Sequence, residues 1–187
     1  MEEEINKIVQ ILKKGGIIVY PTDTIWGIGC DATNKKAIEK IYKIKRRIQE
    51  KSFIILVKDK EELLRYVGDT PDILWDFAEQ FNNPLTIIYP GAKNLPQNVV
   101  APDGSVAIRI TKDEFCKKII ENLNKPIIST SANISGDTPP LVFSMISDEI
   151  IKSVDYVAEY KRHRVTEIKP STIIKITADG QLDIVRN

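Results

Sequence analysis

A chain of 187 residues, with 27 Lys and Arg against 26 Asp and Glu, has room for one ordinary domain and a sizeable core. Its net charge of +1 lacks the strong positive field of an electrostatic nucleic-acid binder, and no apolar run nears the roughly 20 residues that cross a bilayer. One histidine, His163, and two distant cysteines, Cys30 and Cys116, exclude a disulfide framework and argue against zinc, so a cytoplasmic, reducing setting without a membrane is expected.

The acidic, amphipathic start MEEEINKIVQ is not a secretory signal. Ile5, Ile8, Val9 and Leu12 recur at helical spacing, and Gly15-Gly16 stops that helix. Ile17–Tyr20 is a β-branched run closed by Pro21 and reads as a buried strand. A second helix is expected from about Lys35 to Arg46, with Ala37, Ile38, Ile41 and Ile44 inward. Phe53–Val57 is the next strand, followed by helical patterns near 60–66 and 71–81. Further strands are expected at Leu85–Tyr89, Val106–Ile110, Pro126–Ile128, Ser171–Ile176 and Leu182–Val185, with a helix carrying Phe115, Ile119, Ile120 and Leu123 between them. Strands interleaved with helices mean an α/β fold with helices packed on a sheet, in one domain over 1–187.

Polar groups collect at the ends of these strands, where ligands sit in open α/β sheets. The segment Tyr20-Pro21-Thr22-Asp23-Thr24-Ile25-Trp26-Gly27-Ile28-Gly29 is either a capped turn packed by Trp26 or a ligand loop in which Gly27 and Gly29 let the backbone come close. It is no phosphate loop, since neither GxGxxG nor GxxxxGK is present. Lys43-Ile44-Lys45-Arg46-Arg47-Ile48-Gln49-Glu50-Lys51 reads as a solvated helix end or as a polyphosphate site, where lysine gives a point charge and arginine a fork. In Ser105-Val106-Ala107-Ile108-Arg109-Ile110, a core-facing Ile108 and Ile110 send Arg109 to the other side, as an exposed residue or as a bidentate carboxylate ligand. Ser129-Thr130-Ser131-Ala132-Asn133 follows an apolar strand directly, as a turn or cap or as a ligand wall. Lys169-Pro170-Ser171-Thr172 repeats hydroxyls at a strand boundary, and Arg186 ends the last strand.

These segments together resemble the YrdC-like family of threonylcarbamoyl-AMP synthases, from about Gly16 to Arg186. The likeness rests on PTDTIWGIG, on KRR followed by Lys51, on SVAIRI, on KPIISTSAN with Gly136, and on PSTIIKI. It implies a twisted, mostly mixed sheet with a cationic concave surface, and conversion of L-threonine, bicarbonate and ATP, with Mg²⁺, to threonylcarbamoyl-AMP and pyrophosphate. That product would pass to a transferase complex that modifies tRNA. By the family's pattern Thr24, Arg109, Ser129 and Ser171 would hold threonine. Lys45, Arg47 and Lys51 would face the triphosphate, and Ser105, Ser131, Asn133, Pro139 and Arg186 would line the rest of the ATP site. No protein side chain is assigned to a metal.

The chain departs from many members at Ile48 and Ser52, where they carry proline, at Phe81-Asn82-Asn83, and at Leu56, where some carry histidine. It is also expected to be without the extra C-terminal domain of longer members. Two alternatives stay open at this stage. One is a non-catalytic RNA-binding relative using the cationic surface and Lys161-Arg162-His163-Arg164; the other is a carbamoyl-transfer relative.

Overall fold

A computed structural model describes residues 1–48, 53–68, 70, 78, 81, 83–163, 171–177 and 181–186. Helix α1 (Glu2–Lys13) carries three glutamates in its first turn, complementing the positive end of the helix dipole, and buries the predicted face Ile5, Ile8, Val9 and Leu12. It ends where Gly15 takes a left-handed φ of 74°. Strands β1 (Ile18–Tyr20) and β2 (Gly27–Gly29) follow. Helix α2 (Lys35–Ile44) is capped by Asn34, whose side chain accepts from the Ala37 amide. Then come β3 (Ile54–Val57), α3 (Lys60–Leu64), β4 (Leu85–Tyr89) and β5 (Val106–Ile110). Helix α4 (Glu114–Leu123) starts at the Asp113 cap and stops at Asn124, which adopts φ 55°. Strand β6 (Ile127–Ser131), α5 (Asp148–Ser153), β7 (Tyr156–Val157), β8 (Thr172–Ile176) and β9 (Leu182–Arg186) complete the order.

The strands form one mixed sheet in the order β7-β1-β2-β6-β3-β5-β4-β8-β9. Pairs β7–β1, β3–β5 and β4–β8 are parallel and the rest antiparallel. Side-chain alternation splits each strand between two faces. On the first face Ile17, Val19, Ile28, Ile55, Val57, Ile108 and Ile128 join Ile38 and Ile41 of α2, Leu63 of α3 and Ile150 of α5 in the larger core. On the second, Ile18, Tyr20, Leu56 and Ile127 meet α1 and α4 through Ile5, Ile8, Leu12, Phe115, Ile119 and Ile120. Each such side chain contributes about 1.5–3 kcal/mol on full burial, so these two helices are firmly held to their half of the second face. Leu56, where some relatives of the resembling family carry histidine, is sealed under that pair. No helix among the described residues is long and apolar enough to cross a membrane.

Two expectations change. The SxSxN stretch is not a turn from its first serine: β6 runs on to Ser131, because β2 offers Gly27 and Ile28 as partners for Ser131 and Thr130 while Ile54 of β3 partners Ser129. The turn begins at Ala132, whose amide donates to the Trp26 carbonyl. Gly29 serves no ligand approach. A Cβ there would lie 2.1 Å from the Ile128 carbonyl oxygen and 2.8 Å from the Tyr20 ring, so the close approach it permits is between β2, β6 and Tyr20. The helical pattern near 71–81 falls almost wholly outside the described residues.

Candidate functional site

Beyond α1 and α4 no other helix among the described residues packs on the second face of the sheet, and its residues change from large and apolar to small and polar. Along β6 the face reads Ile127, Ser129, Ser131; along β5 it reads Ala107, Arg109. Past the buried Ile127, the residues Ser129, Ser131, Ala107 and Arg109, with Thr24, Gly27, Ile54, Ile88, Ser171 and Ile173, line a cleft of about 480 Å³. The period-two reading of β5 therefore holds: Ile108 joins the core on the opposite face and Arg109 faces the cleft.

Arg109 is 3% exposed, yet its guanidinium is poorly satisfied. Nη2 lies 3.4 Å from Thr24 Oγ1 and 3.3 Å from Asp23 Oδ1, while the buried Nε has no hydrogen-bond partner among the described residues. Asp23 is fixed from behind, its Oδ2 accepting from Thr111 Oγ1 at 3.4 Å and from the Lys112 amide at 3.3 Å. Thr24 is set by Thr22, whose hydroxyl is 3.0 Å from that of Thr24 and donates to the Ile25 carbonyl at 2.7 Å. A buried cation with an open donor favours a ligand that is anionic and shaped to a fork, such as a carboxylate.

Ser171 forms the far wall. Its hydroxyl is 2.9 Å from that of the fully buried Thr86 and 3.2 Å from Arg186 Nη2, and its carbonyl accepts from Arg186 Nε and Nη2 at 3.1 and 2.9 Å. Arg186 reaches this place through an irregular register: Ile173 pairs with Arg186 but Ile174 pairs with Ile184, so Val185 is extra and both Val185 and Arg186 line the cleft. Burial, and next the charge of Arg109, lower the pKa of Arg186. Two guanidinium groups that repel one another across a cleft favour an anion between them.

A smaller recess of about 260 Å³ adjoins the cleft and shares Arg47 and Ser131 with it; Lys45, Arg46, Ile48, Asn133, Ser135 and Gly136 also line it. Arg47 lies over the Phe53 ring at 5.0 Å, and Arg46, with φ 50°, pairs with Glu149. Lys45 is 1% exposed. Its ammonium donates to the carbonyls of Ser131 and, at 2.7 Å, Asn133, with Asn133 Oδ1 at 3.4 Å. Burial, then the neighbouring Arg47, push its pKa down to about 7; the carbonyl acceptors oppose this by favouring the charged form.

Of the predicted threonine residues, Thr24, Arg109, Ser129 and Ser171 all line the cleft. Of the predicted ATP residues, Arg47, Ser131, Pro139 and Arg186 line it as well, and Lys45 and Asn133 line the recess. Ser105 is not among the lining residues of either. It immediately precedes β5, with its hydroxyl donating to Asp103 at 2.6 Å; Lys175 and Ser105 together hold the Asp103 carboxyl well below the usual range. Lys51 and Ser52 lie outside the described residues. The sequence reading missed Asp23 and Thr86 as supports. The signal for Asp23 was its place beside Thr24, and for Thr86 a hydroxyl within an apolar strand. The open apolar floor of Ile54, Ile88 and Ile173 was missed too, because those residues read as ordinary core.

Residues 10–187 match the Sua5/YciO/YrdC sequence family, described as "Telomere recombination". The chain is 31% identical to the threonylcarbamoyl-AMP synthase of Pseudoalteromonas translucida over 175 residues, covering 92% of each chain. Its fold matches P. abyssi Sua5 complexed with L-threonine at TM-score 0.86 and 25% identity, over 94% of this chain and 51% of the other, so it spans about half the length of that protein. E. coli YciO matches at TM-score 0.86 and 27% identity, over 100% of this chain and 90% of YciO.

Proposed function

The chain belongs to the Sua5/YciO/YrdC family, and from that premise we propose that it is a threonylcarbamoyl-AMP synthase, joining L-threonine, bicarbonate and ATP into threonylcarbamoyl-AMP and pyrophosphate. The observation that supports this most directly is the buried, under-partnered guanidinium of Arg109, which opens on a cleft walled by hydroxyls. In the proposed complex Arg109 takes the threonine carboxylate through its free N–H groups. Thr24, Ser129 and Ser171 surround the rest of that substrate. Arg47 and Arg186, with Ser131, Asn133 and Pro139, meet the nucleotide.

The amine of threonine adds to bicarbonate with loss of water, giving a carbamate. A carbamate oxygen then attacks the α-phosphorus of ATP, and the bond to pyrophosphate breaks. Both steps call for positioning of anions and neutralisation of their charge more than for a nucleophile from the protein. Guanidinium groups and hydroxyls on a rigid sheet supply that. Mg²⁺ is proposed to come with ATP, with phosphate oxygens as its ligands; among the described residues no carboxylate lines the cleft or the recess. The product would feed a tRNA-modifying transferase. The RNA-binding and carbamoyl-transfer alternatives are not favoured by the relatives.

The test is pyrophosphate release from ATP. It is expected to require both threonine and bicarbonate and to be lost in Arg109→Ala. Release at the same rate without threonine would refute the proposal.

A further inference from the structure

Lys45 is among the largest fully buried side chains of the protein, although it ends a surface helix and opens a run of three cations. Such a run ordinarily faces solvent or a ligand. Here the ammonium is turned inward onto carbonyl oxygens of Ser131 and Asn133, and the backbone of the same residue is engaged as well: the Lys45 carbonyl accepts from the Ser135 amide at 2.9 Å. The loop is closed on its far side by Asn133, whose Nδ2 donates to the Asp137 carbonyl at 2.7 Å. One residue thus grips the chain at three successive alternate positions, 131, 133 and 135, beyond which Gly136 turns with φ 102°.

Beyond Ser131 the backbone leaves the sheet: the Ser131 carbonyl accepts from the Asn133 amide at 2.9 Å as well as from Lys45, and the Asn133 carbonyl lies past the last ladder pair. Buried carbonyls need donors from elsewhere, and an ammonium can serve several at once. Lys45 fills that need before any ligand arrives.

We propose that Lys45 is a positioning residue: its ammonium and its carbonyl hold the Ser131–Ser135 segment in the shape that forms the wall of the recess, and it acts on the nucleotide through that wall. The proposal rests on the reading of the recess as part of the nucleotide site. Its first test does not, because it is made without substrates.

Amide hydrogen exchange is followed by NMR on the ligand-free full chain, comparing the unmodified protein with Lys45→Met, which keeps the buried stem and removes the donors. The amides of Asn133 and Ser135 are expected to exchange about tenfold faster in Lys45→Met, with Ile55 and Ile108 unchanged and Lys45→Arg intermediate. The variant is also expected to raise the KM for ATP more than it lowers kcat. Unchanged exchange at 133 and 135 in ligand-free Lys45→Met would overturn the proposal, and would mark the lysine as a ligand for the nucleotide alone. Should Lys45→Met not fold, the ammonium resonance of Lys45 in the unmodified protein decides. Slow solvent exchange both without and with Mg²⁺-ATP supports the brace; fast exchange that slows only on adding nucleotide overturns it. Failure of ATP to bind at all would count against the proposed function and leave the ligand-free result standing.

Discussion

Alanine at either of the two glycines of β2 should give opposite outcomes. In Gly29→Ala the new methyl would stand 2.1 Å from the Ile128 carbonyl oxygen and 2.8 Å from Tyr20 Cε1. A carbon–oxygen contact settles near about 3.3 Å, so β6 must retreat by roughly an ångström. That strand is paired on both sides, and the same carbonyl accepts the Tyr20 hydroxyl at 2.8 Å. Overpacking costs about 1–3 kcal/mol and a lost buried hydrogen bond about 1, offset by about 0.5 from the stiffer unfolded chain. A net loss of about 2.5 kcal/mol lowers Tm by about 5–10 °C for a domain of this size. In Gly27→Ala the nearest atoms, Thr22 Cγ2 and Ser129 Oγ, are 3.4 and 3.5 Å away, so the methyl fits and projects into the cleft. Its Tm is expected within about 2 °C of the unmodified protein, with weaker threonine binding by calorimetry. Thermal unfolding by circular dichroism measures both. A Gly29→Ala protein as stable as the parent, or a Gly27→Ala protein that is the less stable of the two, would refute the account of β2.

Arg109→Met strips the counter-charge from Asp23, whose side chain is 10% exposed, and is expected to cost about 3–5 kcal/mol in denaturant unfolding, part of it recovered when Asp23→Asn is added; equal stability of single and double variants would contradict the pairing. Thr86→Val keeps the shape but removes the partner of the Ser171 hydroxyl, so a loss of about 1 kcal/mol and a raised KM for threonine are expected. For Lys45 the folded pKa of about 7 lies below the ordinary value of 10.5. The folded state then binds fewer protons between those pH values, so stability should rise with pH across that window by at most a few kcal/mol and level off below pH 7. The slope should vanish in Lys45→Met, as read from urea midpoints at pH 6, 7.5 and 9; a slope shared by both proteins would show another group to be responsible.

Much of the fold could be read from apolar spacing. The buried face of α1 and strands β4 and β5 follow directly from periods of 3.6 and 2, because burial in a core is what those periods record. Strand β2 was invisible, since two of its three residues are glycines that no propensity assigns to a sheet, and β7 has only two residues. The end of β6 was misplaced for a related reason: Ser and Thr read as turn formers until a partner strand supplies their hydrogen bonds. In the site, the side of the sheet taken by Arg109 was legible from alternation alone. That Lys45 turns inward was not, because it depends on where β6 leaves the sheet, a contact 86 residues away. The irregularity that puts Arg186 in the cleft likewise depends on pairing that no local pattern encodes.

The passage of β6 from beneath the helices to the open cleft has an entropic consequence. Ile127 is sealed in the core, and Ser129, two residues on, already faces the cleft with its backbone fixed by β3; Ser131 follows with its backbone fixed by β2. The conformational freedom of this wall, about 1–2 kcal/mol per residue, is surrendered when the protein folds and is not charged again to each ligand. A free loop with the same hydroxyls would have to be ordered anew in every binding event. Affinity for small, weakly anchored substrates can therefore come from few contacts, because the surface that makes them is as rigid as the core it continues.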